Sequence, residues 1–176
     1  MGDGWLGWGL AAIGGAALLL HTRRTRAMLP LDNQGDVTAL ARTIASEVGR
    51  GTPAERAAVA WTVRNRAERR GITVSRLVCM PWCGPQSEQS ARLRPFSSAK
   101  EATADEMRLA AHVLAAPHTE DPTGGAIAFV EPALQSELAA SHANGHVKSY
   151  EKLRQDWLAD GQRPLGRVGR FELWTR

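Results

Sequence analysis

The sequence predicts an α+β fold in which helices predominate over a small β element. Three observations on the 176-residue sequence favour this class. Apolar residues recur at helical spacing from Asp36 onward, and helix-capping signals precede several of these stretches. Short apolar runs suited to strands occur near residues 126–130 and 166–174. The length suits one domain with a core plus one appendage.

The appendage is the N-terminal part, residues 1–35. An uncharged run at residues 5–20, "WLGWGLAAIGGAALLL", is followed at once by "HTRRTR". The run is shorter than the roughly 20 residues that span a bilayer. No basic stretch precedes it and no clear cleavage site follows, which disfavours an ordinary signal peptide. We expect a weak membrane anchor or a segment buried in a larger assembly, joined by a linker to the domain at residues 36–176.

Two helices are predicted at the start of that domain. Asp36 is placed as the N-cap of the first, which should end near the Gly-Arg-Gly break at residues 49–51. The run "TPAE" at residues 52–55 then supplies a cap, a proline at the first helical position and a capping box. The second helix should end at Gly71 after an arginine-rich last turn.

The middle of the domain is less regular. Residues 77–98, "LVCMPWCGPQSEQSARLRPFSS", lack periodicity and predict a long irregular loop, a feature that is uncommon unless it is functional. Ser98 and Glu101 then form the capping box of a third helix, which Pro117 should end. Cys79 and Cys83 are compatible with either a disulfide or two free thiols.

The last third alternates turns with short elements. "DPTGG" at residues 121–125 predicts a turn, and "AIAFV" after it a strand. Helices are expected over residues 134–141 and 149–160, and an extended segment over residues 166–174. Asn65, four residues after Trp61, should face inward and brace a loop.

Net charge is a weak guide to function. The formal value of +4 and the pI of about 9.7 fit an anionic polymer such as nucleic acid or cell wall. They also fit a merely basic surface. No nucleic-acid partner is predicted on this basis.

Glu47 carries the strongest chemical signal. It lies three residues after Ile44, beside an apolar stripe, and near a helix C-terminus. Burial and the negative end of the helix dipole would both raise its pKa. A carboxyl group that stays protonated is what glycoside cleavage needs, because the leaving oxygen must receive a proton. The alternative is a glutamate that simply points into water. The stripe consists of Val37, Leu40, Ala41, Ile44, Ala45 and Val48.

Several motifs occur in the order of a known family. Residues 40–67, "LARTIASEVGRGTPAERAAVAWTVRNRA", resemble the opening motif of the SleB/CwlJ-type, spore-cortex-lytic cell wall hydrolases. Cys79 is similar to the cysteine before the family's irregular loop. Three later blocks also resemble family elements, and together the resemblance covers residues 37–174. These blocks are "RPFSS", "DPTGGAIAFVEP" and "LGRVGRFELW".

The resemblance implies a lysozyme-like fold and cleavage between N-acetylmuramic acid and N-acetylglucosamine in peptidoglycan. It places Glu47 as the catalytic acid. Candidate substrate-binding residues are Phe96, Ser97, Gly125 and Phe129, with Phe129 equally suited to the core. The chain departs from the family in its "RGTP" turn and at Glu131, where asparagine is usual. No second acid stands in a motif that demands one, so we expect internal attack and 1,6-anhydro ends.

Other functions remain open from the sequence. A non-catalytic peptidoglycan-binding or structural component is the first alternative, and a zinc-dependent peptidoglycan peptidase is the second. His142 and His146 are four apart, but a turn-forming Asn-Gly pair and no acid lie between them. We therefore expect no metal site and no cofactor.

The expected place of action is the cell envelope or periplasm. Arginines after the run at residues 5–20 would hold that side of the segment in the cytoplasm, where there is no wall. A weak anchor, or delivery within a phage virion or secretion assembly through these residues, would resolve the conflict.

Overall fold

The computed structural model describes residues 33–79, 100–141 and 147–176. Within these ranges the chain forms helices and a three-stranded antiparallel sheet, which confirms the predicted α+β class. All of these residues except Asn33 belong to one compact unit, Gln34–Arg176. The helices are α1 Asn33–Glu47, α2 Pro53–Arg69, α3 Val74–Cys79, α4 Ala104–Ala115, α5 Pro132–Ser141 and α6 Tyr150–Ala159, and the strands are β1 Ala128–Val130, β2 Arg163–Val168 and β3 Phe171–Thr175.

Helix α2 is the central element of the core. Ten of its 17 residues are buried, and the run from Ala58 to Asn65 is buried without a break. A helix buried all round must be enclosed by other elements. Side chains from α1, α3, α4 and the sheet share its core cluster. The buried members include Leu40 and Ile44 on α1 and Val48 directly after it, which the sequence placed on the apolar stripe.

The central strand of the sheet, β3, is buried on both faces, whereas the edge strand β2 is exposed. Its strand order is β1-β3-β2, with both pairs antiparallel. Alternation along β3 sends Phe171 and Leu173 toward the core around α2. Trp174 lies on the opposite face with Val130, where it packs against Trp157 of α6. The sheet therefore joins the helical core on one side to α6 on the other.

Several predicted boundaries are confirmed. Thr52 and Glu55 form a reciprocal capping box with Pro53 in the first turn of α2. Gly71 follows α2 with a φ of 64°, in the left-handed region that glycine tolerates best. Helix α4 ends at Ala115, just before Pro117.

Two predicted caps are wrong. Helix α1 begins at Asn33, so Asp36 lies inside its first turn rather than at its N-cap. The Asp36 carboxylate instead accepts the backbone N–H of Ser75 at 2.8 Å, in the first turn of α3. Helix α4 begins only at Ala104, and its capping box is Thr103 with Glu106 instead of Ser98 with Glu101. The second error arose because Thr103 and Glu106 have the same four-residue capping pattern as Ser98 and Glu101.

The first residues of the predicted irregular segment are helical instead. Residues 77–79 belong to helix α3, with Leu77 and Val78 buried in the core. The rest of the segment, with Cys83, lies outside the described residues. Among the described residues, no helix is both long and apolar enough to span a bilayer. The run at residues 5–20 lies outside them as well.

Candidate functional site

Glu47 is the last residue of α1 and is half-buried. It borders Ile44 and Val48, whose side chains are almost fully enclosed. After Glu47 the chain turns over residues 48–50, and Gly49 has a φ of 58°. The structure thus places this carboxyl group at the C-terminal end of a helix and beside the core, as the sequence predicted.

The turn after Glu47 is held by neighbouring elements. The Arg56 guanidinium of α2 donates to the carbonyl oxygen of Gly49 at 3.2 Å. The backbone N–H of Lys100 donates to the Ser46 hydroxyl at 3.0 Å. Carbonyl groups at a helix C-terminus lack partners within the helix and carry partial negative charge, so a cation there is favourable.

Glu55 lies close by but serves a structural purpose. One carboxylate oxygen accepts the N–H of Thr52 at 2.7 Å, and the other accepts the N–H of Arg170 at 3.0 Å. The hydrogen bonds from Arg170 and Thr52 hold the pKa of Glu55 below its usual value, against an opposing effect of burial. An ionised, fully engaged carboxylate of this kind is a poor proton donor.

Two glycines make room for Glu55. A Cβ on Gly51 would lie 2.8 Å from its Oε2 atom and 2.2 Å from the Val48 side chain. A Cβ on Gly169 would lie 2.4 Å from Oε1. The Gly-Arg-Gly break after Glu47 therefore allows the end of α1 to pack closely on the first turn of α2.

Arg170, which sequence reasoning did not identify, joins three elements at this site. It lies in the two-residue turn between β2 and β3, after Gly169. Its Nη2 atom donates to the carbonyl oxygen of Val48 at 2.6 Å, and its Nε atom lies 3.2 Å from Glu131 Oε2. A Gly-Arg pair between two extended segments was the available signal, but nothing local showed what the arginine contacts.

Glu131 and Glu101 are the acids that would come next if Glu47 were not the proton donor, and they differ in placement. Glu131 follows β1, and its ion pair with Arg170 brings it toward the end of α1; its side chain is 22% exposed. Glu101 is 88% exposed and pairs with Arg42 at 3.3 Å. Glu131 is therefore the acid that belongs to the same network as the turn after Glu47.

The candidate substrate-binding residues are only partly described. Phe129 is half-buried and meets Phe171 edge to face at 5.2 Å, and Phe171 in turn lies under the Arg170 guanidinium. Gly125 is exposed with a φ of 83°, and its contacts are to Asp121 and Thr175. The predictions for Phe96 and Ser97 lie outside the described residues.

Asn65 braces the loop before β1, in agreement with the sequence prediction. Its amide donates to Asp121 Oδ2 at 2.8 Å and to the carbonyl of Ala126 at 3.1 Å. Burial alone would raise the pKa of Asp121, but hydrogen bonds from Thr123, Asn65 and Gly125 outweigh it and hold that pKa below its usual value. The loop is thus fixed to the core helix by a buried polar network.

The described histidines lie on the surface. His112 pairs with Glu120 at 3.4 Å, and His118 with Glu68 at 2.8 Å. In the part of the chain that the structure describes, no group of three or more His, Cys, Asp or Glu side chains has the arrangement of a metal site. His142 and His146 lie outside that part.

No protein-family model matches the chain, and neither a curated protein nor a solved structure is significantly similar to it. The resemblance of the motifs to the cell wall hydrolases therefore rests on the sequence alone.

Proposed function

We propose that this chain cleaves the glycan strand of peptidoglycan between N-acetylmuramic acid and N-acetylglucosamine, on a lysozyme-like fold, with Glu47 as general acid. The observation that supports this most is the position of Glu47 at the end of α1. The half-burial of Glu47 beside the core favours a protonated carboxyl group. The turn that follows is held by α2 and by the β2–β3 turn, which suits a residue that must keep a fixed position.

In this reaction the Glu47 carboxylic acid donates its proton to the glycosidic oxygen as the bond from that oxygen to C1 of the muramic residue breaks. The 6-hydroxyl of the same residue then attacks C1 and gives its proton to the Glu47 carboxylate. The products are a 1,6-anhydromuramic end and a free 4-hydroxyl on the departing sugar. The carboxyl group returns to its protonated state, and no water is consumed.

The contacts of three described acids support internal attack over hydrolysis. A water-activating carboxylate in a hydrolase lies about 5–9.5 Å from the acid. Glu55 accepts two backbone N–H groups, and Asp121 accepts from Asn65, Thr123 and Gly125. Glu131 is paired with Arg170. Each of these carboxylates already has a structural partner.

The test is clearing of purified sacculi by wild type and by Glu47→Gln. The variant keeps the shape of the side chain but cannot donate the proton, so the rate should fall by ~10²–10⁴-fold. Glu101→Gln is the matched control, since that exposed carboxylate should be dispensable. Clearing should persist in EDTA. Normal clearing by Glu47→Gln would contradict the assignment, and Glu131→Gln would then be the next variant to measure.

The proposed site of action is the cell envelope, with residues 5–20 as a weak anchor or as a contact with a phage or secretion assembly. A chain that begins at Asn33, the first residue of α1, should then cut sacculi without the N-terminal segment. Lysis from the correct compartment should need the first 20 residues. Loss of sacculus cleavage in the shortened chain would show that the segment belongs to the catalytic domain.

A further inference from the structure

The end of α1 is tied to the β2–β3 turn through one side chain. The Arg170 guanidinium donates to the carbonyl oxygen of Val48, the residue after Glu47. The backbone N–H of Arg170 donates to the Glu55 carboxylate. Among the described residues, Arg170 makes the hydrogen bonds that join this turn and the start of α2 to the β2–β3 hairpin. The residues joined by these two hydrogen bonds lie 122 and 115 residues apart in the sequence.

We propose that Arg170 is a positioning residue for Glu47, and that Glu131 holds the Arg170 guanidinium in place. This inference rests on the proposed glycan cleavage. Arg170 sits on the carbonyl of the residue next to Glu47, so any shift of that carbonyl moves the end of α1 and the carboxyl group with it.

An arginine suits this task better than a lysine. Its planar guanidinium presents several N–H groups in fixed directions, whereas an ammonium group is a point charge on a flexible stem. Here Nη2 donates to the carbonyl oxygen of Val48. The Nε atom lies 3.2 Å from Glu131 Oε2 and 3.9 Å from Glu55 Oε1. The stacking of the guanidinium on Phe171 at 5.0 Å fixes its plane further.

The side chain of Arg170 is 40% exposed, so its removal leaves no large cavity in the core. The loss of a hydrogen bond to a helix-terminal carbonyl, by contrast, frees the last turn of α1. Misplacement of a catalytic group by about 1 Å can cost roughly 10²-fold in rate. A large effect on turnover with a small effect on stability is the expected mark of a positioning residue.

The experiment compares Arg170→Ala, Arg170→Lys and wild type on soluble peptidoglycan fragments. Arg170→Ala should lower kcat by about 10–100-fold with less than about a twofold change in KM, because ground-state binding is retained. Arg170→Lys should recover part of the loss. Arg167→Ala is the matched control, since Arg167 lies on the same hairpin, is 64% exposed and pairs with Glu172; its kcat should stay at the wild-type value.

A double-mutant cycle tests the role of Glu131. If Glu131 acts through Arg170, Glu131→Gln should lower kcat in wild type but have little further effect in Arg170→Ala. Additive losses would show that Glu131 acts independently of Arg170 and would overturn that part of the proposal.

Amide hydrogen exchange provides a readout that does not depend on the substrate. The Val48 amide donates to the Ile44 carbonyl oxygen in α1, and the Gly51 amide donates to the Val48 carbonyl oxygen. Both amides should exchange faster in Arg170→Ala than in Arg167→Ala. Unchanged exchange together with wild-type kcat in Arg170→Ala would overturn the inference. Wild-type protein that cuts no glycan would instead contradict the proposed function, whatever the exchange result.

Discussion

Helices α2 and α4 begin with the same four-residue device, yet the two capping boxes serve different ends. Thr52 with Glu55 and Thr103 with Glu106 form reciprocal hydrogen bonds, and both glutamates are buried. The Glu106 carboxylate accepts hydrogen bonds from the backbone N–H and the hydroxyl of Thr103, within its own capping box. Glu55 also accepts the N–H of Arg170 from the β2–β3 turn. A local motif can thus carry a tertiary contact without any change in its sequence pattern.

The largest difference is expected for Gly169→Ala, which tests whether Glu55 needs its close contact with the β2–β3 turn. A methyl group at this φ of 56° would approach Glu55 Oε1 to 2.4 Å. Left-handed strain and overpacking together should lower the free energy of unfolding by about 2–4 kcal/mol. Gly124→Ala, at a φ of 65° with open space around it, should cost only about 1–2 kcal/mol. Equal losses in urea denaturation would show that Glu55 does not need this close approach.

The two glutamates themselves give the next largest difference. Glu55→Ala leaves the N–H groups of Thr52 and Arg170 without their acceptor, so it should cost about 2–3 kcal/mol. Glu106→Ala removes only the hydrogen bonds of its own capping box and should lower the free energy of unfolding by about 1 kcal/mol. Urea denaturation of both variants measures the difference. A loss for Glu106→Ala as large as that for Glu55→Ala would remove the distinction between the boxes.

Acid pH should reduce the contribution of Glu55. Its pKa is lowered in the folded chain, mainly by the N–H of Arg170, so its contribution to stability is fully present above the unfolded pKa of about 4.3. That contribution is lost as the pH falls through the lower, folded pKa. The difference in Tm between wild type and Glu55→Gln should therefore be largest near pH 7 and shrink below about pH 4. A difference independent of pH would contradict the charged role.

The smallest difference between the two capping boxes is expected at their threonines. Thr52→Ala and Thr103→Ala should each cost about 1 kcal/mol, with closely similar values, because each hydroxyl caps one backbone N–H. A clearly larger loss for Thr52→Ala would place part of the tertiary contact on the threonine rather than on Glu55.

The same contrast shows which features the sequence could predict. Periodicity and the run at residues 52–55 placed α2 and its cap correctly. They also placed Glu47 at the end of α1, because helix spacing and a glycine break are local signals. The cap of α4 was misplaced because Ser98 with Glu101 has the same four-residue form as Thr103 with Glu106. Of the two glutamates, Glu106 is buried and Glu101 is exposed, a difference that the local pattern does not contain.

The contacts of Arg170 could not be predicted in this way. Its partners Val48, Glu55 and Glu131 lie far away in sequence, and no spacing rule connects a hairpin turn to a helix end. The role of Asp36 was missed for a similar reason, since its partner Ser75 lies 39 residues further on. Side chains that join distant elements depend on the fold, whereas caps and stripes depend on their neighbours.

The central claim is that Glu47 donates the proton that starts glycan cleavage, and mass spectrometry of the muropeptides released from sacculi tests it most directly. Wild type should release fragments with 1,6-anhydromuramic ends, and Glu47→Gln should release ~10²–10⁴-fold less of the same product. Reducing muramic ends as the sole product would point to a water-activating carboxylate and contradict internal attack. Equal release by Glu47→Gln and wild type would contradict the assignment of the acid itself.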